Sequence, residues 1–280
     1  MPKSHKRALT VLAILVLAGA VTAHLYQRTG TLAYEEGTYS GEIRWFAPHG
    51  EGTWIHPEGD QYSGQWEEGI RQGEGVYIAA DGMRYEGEFK DNLMHGEGIL
   101  TRPDGFSHEG EFKEGLVHGY GLTVYPDGET YEGEYRDGQK HGEGTYIDAE
   151  GGKYEGEFKN DYFHGRGILI DPEGNEYEGE FKEDLFHGRG VYTSREGAVY
   201  EGYFEEGSFH GDGKITYPSG ASYEGQFKDD RFHGQGVFIS SDGTKYEGEF
   251  EEGLFHGEGV MTFPDGTELE GTWEEHEFVE

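Results

Sequence analysis

Residues 85–107 read YEGEFKDNLMHGEGILTRPDGFS, and this stretch decides the fold. Tyr85, Gly87 and Phe89 alternate with Glu86 and Glu88, a period of two that marks a strand with one aromatic and one acidic face. Asp91-Asn92-Leu93-Met94 reads as the turn. A second strand follows, with Gly96 and Gly98 assigned to one face and Glu97 and Ile99 to the other. Pro103-Asp104-Gly105 closes it as a turn in which glycine accepts a positive φ. The stretch is therefore a β-hairpin. An aromatic ring lying over a neighbouring strand needs a position with no Cβ, and the glycines supply it. The rings are expected to stack along the array, each hairpin depending on its neighbours.

Working outward, the leading aromatic position recurs every 23 residues without insertion, at Tyr39, Tyr62, Tyr85, His108, Tyr131, Tyr154, Tyr177, Tyr200, Tyr223, Tyr246 and Leu269. Ten units fill 39–268 and a partial eleventh runs over 269–280. The places of Gly87, Gly96, Gly98 and Gly105 hold glycine in unit after unit, which accounts for most of the 50 glycines. Composition agrees. That glycine content suits helix interiors poorly, 15% aromatic residues argue against disorder, and 8 prolines with no three-residue period exclude collagen. With no cysteine, disulfide frameworks and thiolate metal sites are excluded. The expected fold is all-β, an elongated, single-layer, twisted antiparallel ribbon with two strands per unit, roughly 100 Å long at ~4.8 Å per strand, preceded by an N-terminal apolar helix.

That helix is read from Lys3, Lys6 and Arg7 followed by the uncharged run Ala8–Ala23, which includes Leu9, Val11, Leu12, Ile14, Leu15, Val16 and Leu17. Residues 1–30 are assigned to a signal or anchor helix with its linker, and 31–280 to the repeat array. Two readings stay open. Small residues at Ala18-Gly19-Ala20 and Val21-Thr22-Ala23 suit a signal peptidase, whereas retention would leave a single-pass anchor, its sixteen-residue run reaching ~24 Å. Either way the basic side stays in the cytoplasm and the repeats lie outside it, at the cell membrane or exported to the periplasm or medium. Residues 1–30 hold four basic side chains and no acid, so of the chain's net charge of −35 residues 31–280 carry −39. Such a body repels phosphate backbones, and no nucleic-acid partner is expected.

Histidine repeats as well, at 49, 95, 118, 141, 164, 187, 210, 233 and 256. Residues on a lattice read as parts of the unit, here side chains closing the first turn by hydrogen bonds; successive histidines ~10 Å apart are too distant to share one ion. No metal or cofactor is expected. The glutamates beside them, such as Glu86, Glu132, Glu155, Glu178, Glu224 and Glu247, read as a solvated face that discourages edge pairing, open to weak divalent-cation association. The paired glycines build no G-x-G-x-x-G, and G-K-[ST], G-x-S-x-G and H-E-x-x-H are absent, so the chain is not expected to be an enzyme.

The segments YEGEFKDNLMHGEGI (85–99), YEGEFKNDYFHGRGI (154–168), YEGEFKEDLFHGRGV (177–191) and YEGEFEEGLFHGEGV (246–260) resemble MORN repeats, the membrane occupation and recognition nexus family. Departures are Ile43 for the strand aromatic, Gln72 for the histidine, and His108 and Leu269 for the leading tyrosine. The resemblance implies hairpin arrays, usually non-enzymatic alone, that act as scaffolds, dimerisation surfaces and docking grooves, and a homodimer stays open. The expected function is a non-catalytic scaffold binding a protein partner through its aromatic face, with Tyr131, Tyr154, Tyr177, Tyr200 and Tyr223 as groove floor and Phe158, Phe181, Phe204 and Phe227 beside them. A lipid-binding tether and a regulatory module of an enzyme complex are the alternatives.

Overall fold

The computed structural model describes residues 27–279, all of whose regular elements are β-strands. The apolar run 8–23 lies outside the described residues. By its contacts the chain divides into two units, Met1–Pro126 and Asp127–Glu280.

The first unit holds β1 (Gln27–Tyr34), β2 (Gly37–Arg44), β3 (Ala47–Ile55), β4 (Gln61–Glu67), β5 (Ile70–Ile78), β6 (Arg84–Lys90), β7 (Leu93–Thr101), β8 (Ser107–Lys113) and β9 (Leu116–Val124). The second holds β10 (Thr130–Arg136), β11 (Gln139–Ile147), β12 (Lys153–Lys159), β13 (Tyr162–Ile170), β14 (Glu176–Lys182), β15 (Leu185–Thr193), β16 (Val199–Glu205), β17 (Ser208–Thr216), β18 (Ser222–Lys228), β19 (Arg231–Ile239), β20 (Lys245–Glu251), β21 (Leu254–Thr262), β22 (Glu268–Glu274) and β23 (Glu277–Phe278). Within each unit every strand pairs antiparallel with its neighbours in the chain, which is an open sheet of consecutive hairpins. β1 takes in Gln27–Gly30, which the sequence reading gave to the linker, and aligns Gly30 with Gly41 and Leu32 with Tyr39.

The first turn is tighter than the expected four residues. Lys90 pairs with Leu93, so only Asp91 and Asn92 lie between the strands, and both have positive φ (52° and 69°). Two left-handed central residues are the mark of a type I′ turn, whose twist matches that of the strands. Leu93 and Met94 belong to β7. The equivalent turns, Glu114-Gly115, Asn160-Asp161, Glu183-Asp184 and Asp229-Asp230, repeat this geometry.

The second strand also departs from simple alternation. Gly87 pairs with Gly98 while Glu88 pairs with His95, so Gly96 and Glu97 form a bulge. Gly96 sits at φ +56°. A Cβ on Gly96 would meet the Glu88 carboxylate, whereas one on Gly98 would lie 2.5–2.6 Å from the hydroxyl and ring of Tyr85. The bulge thus turns the two glycines to opposite faces, a correction to the reading that placed them together.

The core is the aromatic face. Tyr62, Tyr85 and Phe89 are buried, and each tyrosine meets the strand aromatic of its own hairpin, Trp66 for Tyr62 and Phe89 for Tyr85, and that of the next. Tyr85 lies 5.1 Å from Phe89 and 5.0 Å from Phe112, both edge to face. Face-to-face stacking along the array, the expected arrangement, does not occur in these contacts. A ring edge against a ring face aligns the positive rim with the negative π-cloud and is worth about 0.5–1.5 kcal/mol beyond area burial.

Candidate functional site

In the second unit the aromatic face has two layers. The inner layer contains every ring named from the sequence. Tyr131, Tyr154, Tyr200 and Tyr223 are 0% exposed and Tyr177 1%, while Phe158, Phe181, Phe204 and Phe227 are 3–4% exposed. Their hydroxyls are engaged. Tyr154 donates to the Glu157 carbonyl at 2.9 Å and Tyr177 to the Glu180 carbonyl at 2.9 Å, each with a longer contact to the carbonyl of the hairpin histidine, at 3.3 Å. Those carbonyls flank the bulge, so the phenol repairs the hydrogen bonding that the bulge interrupts. Burial raises the pKa of the Tyr154, Tyr177, Tyr200 and Tyr223 phenols, that of Tyr223 to about 12. The expected groove floor is therefore enclosed beneath a second layer.

That second layer is a row of half-buried phenylalanines, each immediately before the hairpin histidine. Phe163 stacks on Tyr154 (3.8 Å, 13°), Phe186 on Tyr177 (3.9 Å, 18°), Phe209 on Tyr200 (3.8 Å, 10°), Phe232 on Tyr223 (3.8 Å, 11°) and Phe255 on Tyr246 (4.0 Å, 16°). Beside them Tyr146, Tyr192 and Phe238 approach within 6.1–6.2 Å of the next phenylalanine. The sequence carried the signal as FHG in five consecutive units, but the phenylalanine was assigned to the turn. Lys140 occupies the same place one hairpin earlier, with its ammonium 5.4 Å from the Tyr131 ring centre and 4.4 Å from that of Tyr146. Burial lowers the Lys140 pKa. In the first unit Pro48, Arg71, Met94 and Val117 hold this place, and Arg71 lies 5.6 Å from the Tyr62 ring. A cation over a ring face can evidently replace a stacked ring at this site.

Adjacent hairpins are joined beneath this layer. Phe163 N–H donates to Asp184 Oδ1 at 2.7 Å and Asp184 N–H donates to the Phe163 carbonyl at 3.1 Å, so the second turn residue of one hairpin holds the strand of the one before. Asn92 bonds Arg71 and Asp230 bonds Phe209 in the same way. Where glycine stands there, as at Gly115, Gly207 and Gly253, the backbone bond alone remains.

The opposite face carries the glutamates, exposed, with the histidine imidazoles on the same side, His164 paired across from Glu157. The histidine role is only partly the expected one. His210 Nε2 lies 3.3 Å from Glu205 of its own hairpin and Nδ1 lies 4.0 Å from Asp229 in the next turn, whereas Gln72, in the histidine place, exchanges two hydrogen bonds with Asp91 of the next turn. Among the described residues no group of three or more histidine, aspartate or glutamate side chains could hold a metal ion.

A model of the MORN repeat matches nine consecutive segments, 62–84, 85–107, 108–130, 131–153, 154–176, 177–199, 200–222, 223–245 and 246–268. The chain belongs to the MORN repeat family. The segment 39–61 lies before the matched repeats, yet Tyr39 donates to the Glu42 carbonyl at 2.7 Å as the MORN tyrosines do. No curated protein sequence matches the chain. Among solved structures it is similar to the SAS-4 (dCPAP) TCP domain of Drosophila melanogaster in complex with a proline-rich motif of Ana2 (12% identity, 62% of this chain and 88% of that one, TM-score 0.34). It is also similar to a mutant TCP10 domain of Danio rerio CPAP (10% identity, 87% and 99%, TM-score 0.23) and to virginiamycin B lyase of Staphylococcus aureus (12% identity, 70% and 68%, TM-score 0.15). These low scores stop short of a shared fold.

Proposed function

We propose that this MORN repeat protein is a non-catalytic scaffold, placed at or beyond a membrane by residues 8–23, and that it binds a protein partner along the outer phenylalanine row of its second unit. The observation that supports this is the row itself. Five consecutive hairpins present a half-buried phenylalanine at one lattice point, each held flat by a buried tyrosine. Rigid aromatic side chains that surrender little entropy on contact are favoured anchors at interfaces. The tyrosines named from the sequence act here as supports that fix the orientation of the contacting rings.

The chain supplies its own control substitution. Lysine is accommodated at position 140, so Phe186→Lys with Phe209→Lys keeps a residue the lattice accepts while removing two adjacent rings. Cross-linking of the full chain in its native envelope, followed by mass spectrometry, should capture a partner on wild type and lose it in the double variant. Equal capture by both would reject this row as the binding surface.

A further inference from the structure

On the glutamate face, the second glutamate of the strand folds over the bulge glycine of its own hairpin. A Cβ on Gly165 would meet the Glu157 carboxylate, and one on Gly188 would meet that of Glu180. The carboxylate also takes a backbone hydrogen bond there. Arg166 N–H donates to Glu157 Oε1 at 2.9 Å and Arg189 N–H donates to Glu180 Oε1 at 3.4 Å. Glu88 over Gly96, Glu134 over Gly142 and Glu249 over Gly257 hold the same place, and Gln226 brings an amide over Gly234. Backbone N–H groups turned outward by a left-handed residue suit an anion, and the chain supplies one itself.

The hairpin of β16 and β17 lacks it. Tyr203 stands where the two preceding hairpins carry Glu157 and Glu180. The bulge is unchanged, since Tyr203 pairs with His210 as Glu180 pairs with His187, and Gly211 has φ +60° against +59° at Gly188. A Cβ on Gly211, however, would find only the Cβ and Cγ of Tyr203, at 3.6 and 4.0 Å. The Tyr203 ring is 41% exposed and packs with Arg189 of β15, whose guanidinium lies 4.8 Å from the ring centre. Beside Gly211 there remains a cleft of about 300 Å³, lined by His187, Tyr203 and His210, with Glu205 at 3.3 Å from His210 Nε2. Arg189 and Asp212 line a second cleft of about 800 Å³. Nearby acidic charge is no bar to a further carboxylate here, because Glu88 holds the equivalent place directly across from Glu74, and water screens exposed charges.

We propose that the bulge at Gly211 and Asp212 is a binding site for a ligand carboxylate, which accepts from the Asp212 N–H in the place that Glu157 and Glu180 fill from within the chain. It lies on the face opposite the phenylalanine row and stands independently of it. The carboxylate belongs either to a small free acid or to an acidic side chain of a protein partner. The test follows the Gly211 and Asp212 amide resonances of the ¹⁵N-labelled full chain during titration with sodium acetate and, separately, with the capped peptide acetyl-Ala-Glu-Ala-amide, each against sodium chloride at equal ionic strength. Saturable shifts at these two amides are expected. Tyr203→Glu restores the carboxylate that the lattice carries elsewhere, and should weaken the binding by about tenfold or more, the worth of one charge-assisted hydrogen bond. Tighter binding of the peptide than of acetate assigns the carboxylate to a protein partner, and equal binding assigns it to a free acid. No saturable shift with either probe, or undiminished binding by Tyr203→Glu, would overturn the site.

Discussion

His108 stands where the other MORN units of the first unit carry tyrosine, fully buried, with Nδ1 2.8 Å from Thr123 Oγ1. Thr123 is itself buried at a place held elsewhere by Leu100, Tyr77 or Trp54, so the two substitutions form one polar pair inside an apolar row. Burial depresses the imidazole pKa to about 4 from an ordinary 6.5. Between those values the unfolded chain binds a proton that the native chain does not, so stability falls as pH drops from 6.5 towards 4, by up to about 3 kcal/mol. Protonating the many carboxylates acts the other way by relieving repulsion. His108→Tyr therefore isolates the imidazole: the difference in denaturation midpoint between variant and wild type should widen steadily from pH 7 to pH 4. A constant difference would show that the ring titrates normally. Glycine gives a second prediction at this scale. Gly98→Ala places a methyl against the Tyr85 ring and should cost about 2–4 kcal/mol, more than the usual overpacking cost because backbone and ring are both fixed. Gly128→Ala meets nothing within 4 Å and is strained only through its φ of +97°, about 1–2 kcal/mol. Chemical denaturation of both variants checks the order.

At the scale of the hairpin, Phe46→Gly should raise stability by about 1 kcal/mol, because it removes an exposed bulky residue from left-handed backbone. Calorimetry of the variant measures this. The hairpin was legible in the sequence because alternation of Tyr85, Gly87 and Phe89 against glutamate is a direct image of the pleat. The bulge was not, since Gly96 looks like a second member of a glycine face until its positive φ is known. Leu93 and Met94 were given to the turn for a similar reason: a two-residue turn built from Asp91 and Asn92 has no glycine to mark it. The misplacement of Met94 hid its counterparts Phe163, Phe186 and Phe209, and with them the outer layer of the candidate surface. Tyr154 and Phe158 were correctly read as one face, but sequence period cannot distinguish a ring that lines a groove from one that lies beneath its lining.

For the molecule as a whole, the repeated tyrosine sets an upper pH limit. Burial raises the phenol pKa at Tyr62, Tyr85, Tyr154, Tyr177, Tyr200, Tyr223 and Tyr246, the last two to about 12. Unfolded tyrosine ionises near pH 10, so above that value the unfolded chain holds fewer protons and stability falls by about 1.4 kcal/mol per pH unit for each such ring. A steep alkaline transition is expected above pH 10, with phenolate absorbance and the β-sheet dichroism changing together; phenolate appearing well before the dichroism changes would contradict it. The joint between hairpins, in which the turn residue Asp184 grips the strand at Phe163, has a consequence for heredity. Each unit is bonded to the one before it at a fixed offset, so losing a single codon would throw every later side chain onto the wrong face. Removing residues 177–199 entire would instead bring Glu176 to Tyr200 and set Gly207 at the joint, in register for the backbone bond that glycine makes there. Such a gene can lengthen or shorten only in whole steps of 23 codons, and the number of hairpins becomes a trait that duplication and deletion can count.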